Sequence, residues 1–520
     1  MAAFGLIGAD EPRYAQVARE MLARHDWITP TLGGVAWLEK PPLYYWQAML
    51  AFRIFGVSDW AARLPGAMDA TILVLAVYCF LRRFRSECAF DGALMLVTCA
   101  GIVGFARAAS TDMPLAASLG MAMLAWFAWL ETGERSLIVA FYMALGLGML
   151  AKGPVAPFLA GIVILLFAAS QRSWKIALKT LSPPGIAAFL IVVLPWYALV
   201  QARNPQFFRV FLLEHNLARF GSNLFHHPEP FWYYVPIALL GWVPWAHFIS
   251  FALLFAARKL RSPGADSLNT FLMIWMGVFV VFFSISQSKL PGYILPAIPA
   301  GVVLLANFLR EMRFNKLHPA MIALHAVVVA ALLFSALMLP STLHLHKLVW
   351  SHAAVGPLMI ALITGALAVL SLLKIGWSGL HLAVVAPAIV VFALALRFSA
   401  PVLDQTLSAR SVSTELARLS NKPLPLAVAK VPRELEFGLH FYRNQTIARY
   451  ELDLPPAGEH LLVMQMGSRQ LVENKLEGRH LAYLGELSAQ NLKFFYVGQR
   501  KAESHHQIPN SRCPAESRSP

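Results

Sequence analysis

MPLAASLGMAMLAWFAWLETGERSLIVAFYMALGLGMLAKGPVAPFLAGIVILLFAA (residues 113–169) is apolar almost throughout and is interrupted only twice. The first break, ETGERS (131–136), carries Arg135; the second, AKGP (151–154), carries Lys152. A membrane-spanning helix needs roughly 17–25 mostly apolar residues. The stretch therefore reads as three successive spans at 113–130, 137–151 and 154–169, the last two short. Outward from it, the same criterion places spans near 60–81, 89–108, 181–200, 231–256, 268–288, 291–309, 320–339, 353–373 and 380–398, twelve in all. The long apolar runs are helical, because strands of a membrane barrel would alternate apolar and polar residues.

Composition agrees with this reading. Of the 520 residues, 58% are hydrophobic and 14% charged, where soluble domains carry about a quarter charged. After residue 400 the texture changes. PLAVAKV, EFGLHFYRN, HLLVMQM and LKFFYVGQ read as short strands, with helices around 406–420 and 468–476. The expected architecture is an all-α polytopic membrane protein over 1–399, a small α/β domain over 400–500 and a disordered tail over 501–520. Cys79, Cys88, Cys99 and Cys513 show no metal or redox spacing and read as apolar filler.

The net charge of +15 would suit a nucleic-acid partner, but its distribution argues against one. Lys and Arg gather in alternate loops: Arg82, Arg83 and Arg85; Arg135; Arg172, Lys175 and Lys179; Arg258, Lys259 and Arg261; Arg310, Arg313 and Lys316; Lys374. That is the positive-inside pattern, which makes these loops cytoplasmic. The outer, periplasmic face then holds residues 9–59 and 201–231, Asp112, Lys152, Lys289 and the chain after 400. Every polar cluster with chemical character falls on that face.

The first cluster lies in GADEPRYAQVAREML (8–22), an amphipathic helix in which Asp10 suits the N-cap and Pro12 the first helical position. Only MAAFGLIGA precedes Asp10, so a truncated start is expected; were the preceding span truly missing, Asp10 would be poorly anchored. WLEKPPLYYW (37–46) adds Glu39 and Lys40 ahead of a Tyr-Tyr-Trp belt. TDMPL contributes Asp112, which could equally cap the helix it opens. Lys152 has no acid nearby in sequence, so a lipid phosphate suits it. LEHNLARF (213–220), FHHPEPFWYY (225–234) with His226 and His227, and SKLPGY (288–293) with Lys289 and Tyr293 complete the set. His325, mid-span, reads as a hydrogen-bonded core residue.

Carboxylates, separated cations and tyrosines on an outer membrane face suit a lipid-linked phosphate. Lys supplies point charge and Arg a planar fork for phosphate, and a carboxylate can activate or orient a hydroxyl. No Walker loop or Rossmann glycine pattern occurs, so no nucleotide cofactor is expected. A transporter would show an internal repeat with charges inside spans; neither is found.

In order and spacing, DEPRYAQVAREMLARHDWITP, WLEKPPLYYW, TDMPL, KGP, LEH, HHPEPFWYY and SKLPGYILP together resemble the polyprenyl-phosphate-dependent GT-C glycosyltransferases. The likeness is nearest to the 4-amino-4-deoxy-L-arabinose lipid A transferases, within the wider protein mannosyltransferase-like group. The resemblance covers residues 9–300 and implies thirteen spans and inverting transfer. It implies that Asp10 is the catalytic acid, that Asp112 is a second acidic position, and that Arg13 belongs to the substrate site. Glu39 and His227 fall where the family holds a divalent metal, zinc. Lys40 and Tyr293 fall where the carrier phosphate binds, with Lys152, Lys289 and His226 as further contacts. The chain departs from the family at Pro228-Glu229, where the aminoarabinose transferases tend to carry Arg. The expected activity is sugar transfer from polyprenyl phosphate to lipid A or another envelope glycolipid, with a protein acceptor as the alternative.

Overall fold

The computed structural model describes residues 3–218, 229–259, 266–312, 319–343, 386–419, 424–476 and 478–500. The chain divides into two compact units, one of residues 1–411 with 433–444 and one of residues 412–432 with 445–520.

The first unit opens with helices α1 (Asp10–Ala23), α2 (Leu43–Phe55), α3 (Asp59–Phe84), α4 (Ala89–Thr98) and α5 (Ala100–Phe105). These are followed by α6 (Asp112–Thr132), α7 (Arg135–Lys152), α8 (Val155–Ser170), α9 (Trp174–Thr180) and α10 (Pro183–Arg203). Among the described residues seven helices are long and apolar enough to cross a membrane: α3, α6, α7, α10, Ser267–Ile285, Pro291–Met312 and Ile389–Leu407. The pair Tyr234–Gly241 and Ala246–Lys259, bent by 113°, makes an eighth if it is one span. The expected span at 353–373 lies outside the described residues, as does the expected disordered tail.

Local chemistry sets the boundaries. Ser58 caps α3 by accepting the Ala61 N–H, and Arg82 and Arg83 in its last turn offset the helix dipole. Gly133, left-handed at φ 73°, ends α6 by donating to Trp129 O. The run expected as one span at 89–108 is instead two helices, because Cys99 takes an extended ψ of 127°. Its freed neighbour, Ala100 N–H, donates to Val243 O, in the break of the bent pair. Two interrupted helices thus satisfy each other's backbone where water is scarce. In the core Trp126, Phe127, Phe167 and Phe271 pack edge-on or stacked. His325 is fully buried among Trp245, His247 and Phe248, and neither ring nitrogen has a hydrogen-bond partner. Ring contacts, not the expected hydrogen bonds, hold it.

The N-terminal segment is locked by two buried polar networks. The Glu11 carboxylate accepts from Arg63 Nε (3.0 Å) and Nη2 (2.7 Å), from Ile7 N (2.9 Å) and from Ala109 N (2.9 Å). Arg63, 1% exposed, gives two further protons to Phe4 O and Gly5 O. In the second network Asp59 accepts from Tyr442 Oη (2.5 Å) and Arg410 (2.8 Å), while Asp404 accepts from Gly5 N and Arg410. A Cβ at Gly5 would lie 2.1 Å from Ser408 Oγ, so only glycine fits this crossing. Asp10 is therefore firmly anchored, contrary to expectation.

The second unit holds a five-stranded sheet of order β4-β3-β5-β7-β6, made of β3 (Leu426–Ala429), β4 (Ala448–Arg449), β5 (His460–Gln465), β6 (Arg479–Leu487) and β7 (Leu492–Arg500). β3 runs parallel to β4 and β5; β7 is antiparallel to β5 and β6. His460 is buried, accepting from Tyr450 Oη at 2.7 Å, and burial pushes its pKa below the ordinary range. EFGLHFYRN, expected as a strand, is the helix Arg433–Arg443 of the first unit. Its apolar residues alternate, but it is buried from Leu435 to Phe441 on every face, so the alternation marks no single sheet face. β6, unforeseen, has an irregular burial pattern and two register shifts.

Removing one partner of a buried ion pair costs about 3–5 kcal/mol, and Glu11 and Arg63 have side chains 10% and 1% exposed. Glu11→Ala should therefore lower the thermal unfolding temperature of the detergent-purified protein markedly, whereas loss of the exposed Arg83–Glu134 pair should hardly move it. An unfolding temperature for Glu11→Ala equal to that of wild type would remove Glu11 from its structural role.

Candidate active site

Asp10 and Glu11 are neighbours in the first turn of α1, and consecutive helical residues point about 100° apart. Glu11 turns inward to Arg63, while Asp10 turns outward with a side chain 48% exposed. The cap is Ala9, without a side-chain bond, so Asp10 does not cap the helix as expected. Its carboxylate pairs instead with Arg13, one turn on.

Arg13 is largely enclosed, its side chain 13% exposed. It faces Glu39 at 4.0 Å, and its guanidinium lies 5.0 Å from the Tyr14 ring centroid, 5.2 Å from Trp37 and 5.7 Å from Phe437. Burial works against its charge. The fields of Tyr14, Asp10, Glu39 and Tyr45 outweigh that and raise its pKa above the usual value.

Glu39 and Lys40 are delivered by a clasp that pattern reading missed. β1 (Thr31–Leu32) and β2 (Val35–Ala36) pair antiparallel across Gly33 and Gly34, both at positive φ (61° and 79°) as a two-residue hairpin turn requires. Glu20 of α1 receives Gly33 N (2.8 Å), Gly34 N (3.1 Å) and Thr31 Oγ1 (2.8 Å), pinning the hairpin to the helix. The Gly-Gly dipeptide was the available signal. Lys40, buried, follows directly on Glu39.

A second cluster joins three segments far apart in sequence. Asp112, at the start of α6, pairs with Lys152 at the end of α7, so the acid that Lys152 lacks locally comes from 40 residues away. Lys152 Nζ lies 4.5 Å from the Tyr293 ring centroid. A Cβ at Gly292 would fall 2.6 Å from Asp112 Cγ and 2.8 Å from Phe105, so glycine lets this loop reach the pair. Tyr234 Oη donates to Leu290 O and accepts from Leu290 N, both at 3.0 Å, fixing the loop. Lys289 is buried and donates to Glu229 O (3.0 Å) and Ser286 O (2.6 Å).

Tyr14 links the clusters. Burial, Asp10 and, more weakly, Asp112 all hold its phenol well above the usual pKa, against the pull of Arg13. It is a neutral hydroxyl within the electrostatic reach of both carboxylates. Asp10, Arg13, Glu39, Asp112, Lys152 and Tyr293 thus share one region.

His226 and His227 lie outside the described residues. No group of three or more His, Cys, Asp or Glu side chains among the described residues could hold a metal ion. Glu39 faces a guanidinium instead, a poor setting for a cation, so the described residues alone do not make a metal site.

Residues 39–198 match the family model described as dolichyl-phosphate-mannose-protein mannosyltransferase. The undecaprenyl phosphate-alpha-4-amino-4-deoxy-L-arabinose arabinosyl transferase 2 of Pseudomonas fluorescens is 30% identical over 358 residues, covering 65% of this chain and 60% of the relative. The corresponding transferase of Edwardsiella ictaluri is 32% identical over 312 residues, 58% of this chain and 55% of the relative. The chain therefore spans somewhat over half the length of the curated relatives it matches. The crystal structure of ArnT from Cupriavidus metallidurans bound to undecaprenyl phosphate superposes with a TM-score of 0.80 at 24% identity, covering 95% of this chain and 94% of that one. In fold over nearly its whole length, and in sequence over more than half of it, the chain resembles the polyprenyl-phosphate-dependent GT-C glycosyltransferases of the 4-amino-4-deoxy-L-arabinose group.

Proposed function

We propose that the protein transfers a sugar from a polyprenyl phosphate to an envelope glycolipid, lipid A, at the periplasmic face of the bacterial inner membrane. The observation that carries this reading is the convergence of Asp10–Arg13–Glu39 and Asp112–Lys152–Tyr293 around Tyr14. The names of the curated relatives and of the structural neighbour supply the donor class.

The acceptor oxygen approaches the exposed edge of Asp10, which takes its proton or orients it for attack on the sugar carbon opposite the leaving phosphate. Arg13 holds the Asp10 carboxylate aimed. The departing phosphate gathers negative charge and is met by Lys40, Lys152 and Lys289. An ammonium carries three donors: Lys152 gives one to Asp112 and Lys289 gives two to carbonyls, so each keeps a proton for phosphate. Tyr293, stacked on Lys152, fixes that ammonium from the other side.

Three outcomes test this reading in a purified transfer assay with a polyprenyl-phosphate sugar donor. Asp10→Asn should reduce turnover at least about 100-fold, the scale of lost general-base catalysis, without shifting the unfolding temperature; near-wild-type transfer would sink the assignment. Lys152→Met should raise the donor KM more than the acceptor KM, and a purely acceptor-side effect would move Lys152 out of the phosphate site. Gly292→Ala should cut kcat by pushing the Asp112 carboxylate aside, with intact activity counting against any role for the pair. Mass spectrometry of lipid A and of envelope proteins from a deletion strain separates the glycolipid acceptor from the protein one.

A further inference from the structure

Arg107 differs from the cations of the two clusters and of the Glu11 anchor. Arg13 is met by Asp10 and Glu39, Lys152 by Asp112, Arg63 by Glu11, and Lys289 by two carbonyls. The half-buried Arg107 guanidinium meets neither an acid nor a hydrogen-bond acceptor among the described residues. It lies over the Phe392 ring, with the centroid 5.1 Å away.

Its position is well defined. The 105–108 backbone lies directly on α3: a Cβ on Gly66 would come within 3.0–3.4 Å of Ala108 O, Phe105 O and Ala106 O. Gly66 is one turn beyond Arg63, which puts Arg107 just below the level of the Glu11–Arg63 pair. Two residues on, Ala109 N–H donates to Glu11, the neighbour of Asp10; three beyond that is Asp112. Phe392 belongs to the helix Ala386–Leu407, whose Ile389 (62%) and Val390 (48%) are widely exposed and so face lipid. Arg107 closes the apolar run 89–108 at its outer end, on the same short loop that leads to both carboxylates. Cationic pockets between spans take lipid head groups, and an unpaired guanidinium offers phosphate a bidentate fork.

We propose that Arg107 binds a phosphate group of the glycolipid acceptor as it enters laterally between α3 and the helix Ala386–Leu407, and so selects phosphorylated lipid acceptors. The identity of the acceptor rests on the transferase reading above. The residue positions the acceptor and takes no part in bond exchange.

The test is equilibrium binding of the full chain in phosphatidylcholine nanodiscs, with bis-phosphorylated lipid A and its enzymatically dephosphorylated form as probes. Wild type should prefer the phosphorylated form. Arg107→Gln should weaken its binding about tenfold, the scale of a lost charge-assisted hydrogen bond, and leave the dephosphorylated form unchanged, with Arg107→Lys between. Arg107 makes no hydrogen bond or ion pair among the described residues, so these variants should fold. Equal binding of both probes by wild type overturns the proposal, as does an unaltered Arg107→Gln. So does a tenfold loss confined to undecaprenyl phosphate, which would assign the cation to the donor. Displacement of lipid A by an equal concentration of phosphatidylglycerol would mark an ordinary bilayer contact and also overturns it. Because binding is read without turnover, an inactive wild type would sink the transferase reading and not this one.

Discussion

The buried pair of Glu11 and Arg63 is the constraint on which the first unit depends. An ion pair shielded from water is stable only when its remaining lone pairs and protons are also satisfied, and here they are. Glu11 takes four N–H groups, from Arg63, Ile7 and Ala109; Arg63 donates onward to Phe4 and Gly5. The four segments so joined are the strand-like N-terminus, the first turn of α1, the second turn of α3 and the loop before α6. Three of them carry or adjoin the functional candidates. Because Glu11 points inward, its neighbour Asp10 must point out, and because Ala109 is held, Asp112 begins α6 at a set place.

From that anchor the site is assembled by pairing acids with cations. Each carboxylate in it faces a base: Asp10 and Glu39 share Arg13, and Asp112 has Lys152. Pairing lowers the cost of holding charge beside a bilayer. It also explains why the clasp matters. Without Glu20 gripping Gly33 and Gly34, the loop bearing Trp37, Glu39 and Lys40 would be free to leave Arg13, whose guanidinium is boxed in by rings on three sides.

How far the sequence predicts this depends on the range of each interaction. Hydropathy is a local sum, and it located the long runs at α3, α6, α7 and α10 well. It could not see the break at Cys99, because an extended apolar residue reads like a helical one. The pairing of Asp10 with Arg13 was legible from their spacing of one helical turn, but Glu11 looked like a helix-start acid, since Arg63 lies 52 residues on. Lys152 looked solitary for the same reason, its acid being 40 residues back. EFGLHFYRN alternated like a strand yet formed a helix, because total burial removes the polar face that periodicity relies on. Patterning finds elements; partners that are distant in sequence appear only once the chain is folded.

The pairing has a consequence for the proposed chemistry. A polyprenyl-phosphate sugar is a phosphodiester with one negative charge, and the departing polyprenyl phosphate approaches two. A cation already half-neutralised by a carboxylate, as Lys152 is by Asp112, attracts the singly charged donor weakly and the more highly charged leaving group more strongly. Only interactions that strengthen toward the transition state speed the chemical step. A bare ammonium in the same place would hold the donor tightly and stabilise the substrate along with the transition state. On the proposed mechanism Asp112 would moderate Lys152, with the Tyr293 ring and the close approach at Gly292 packed against the pair.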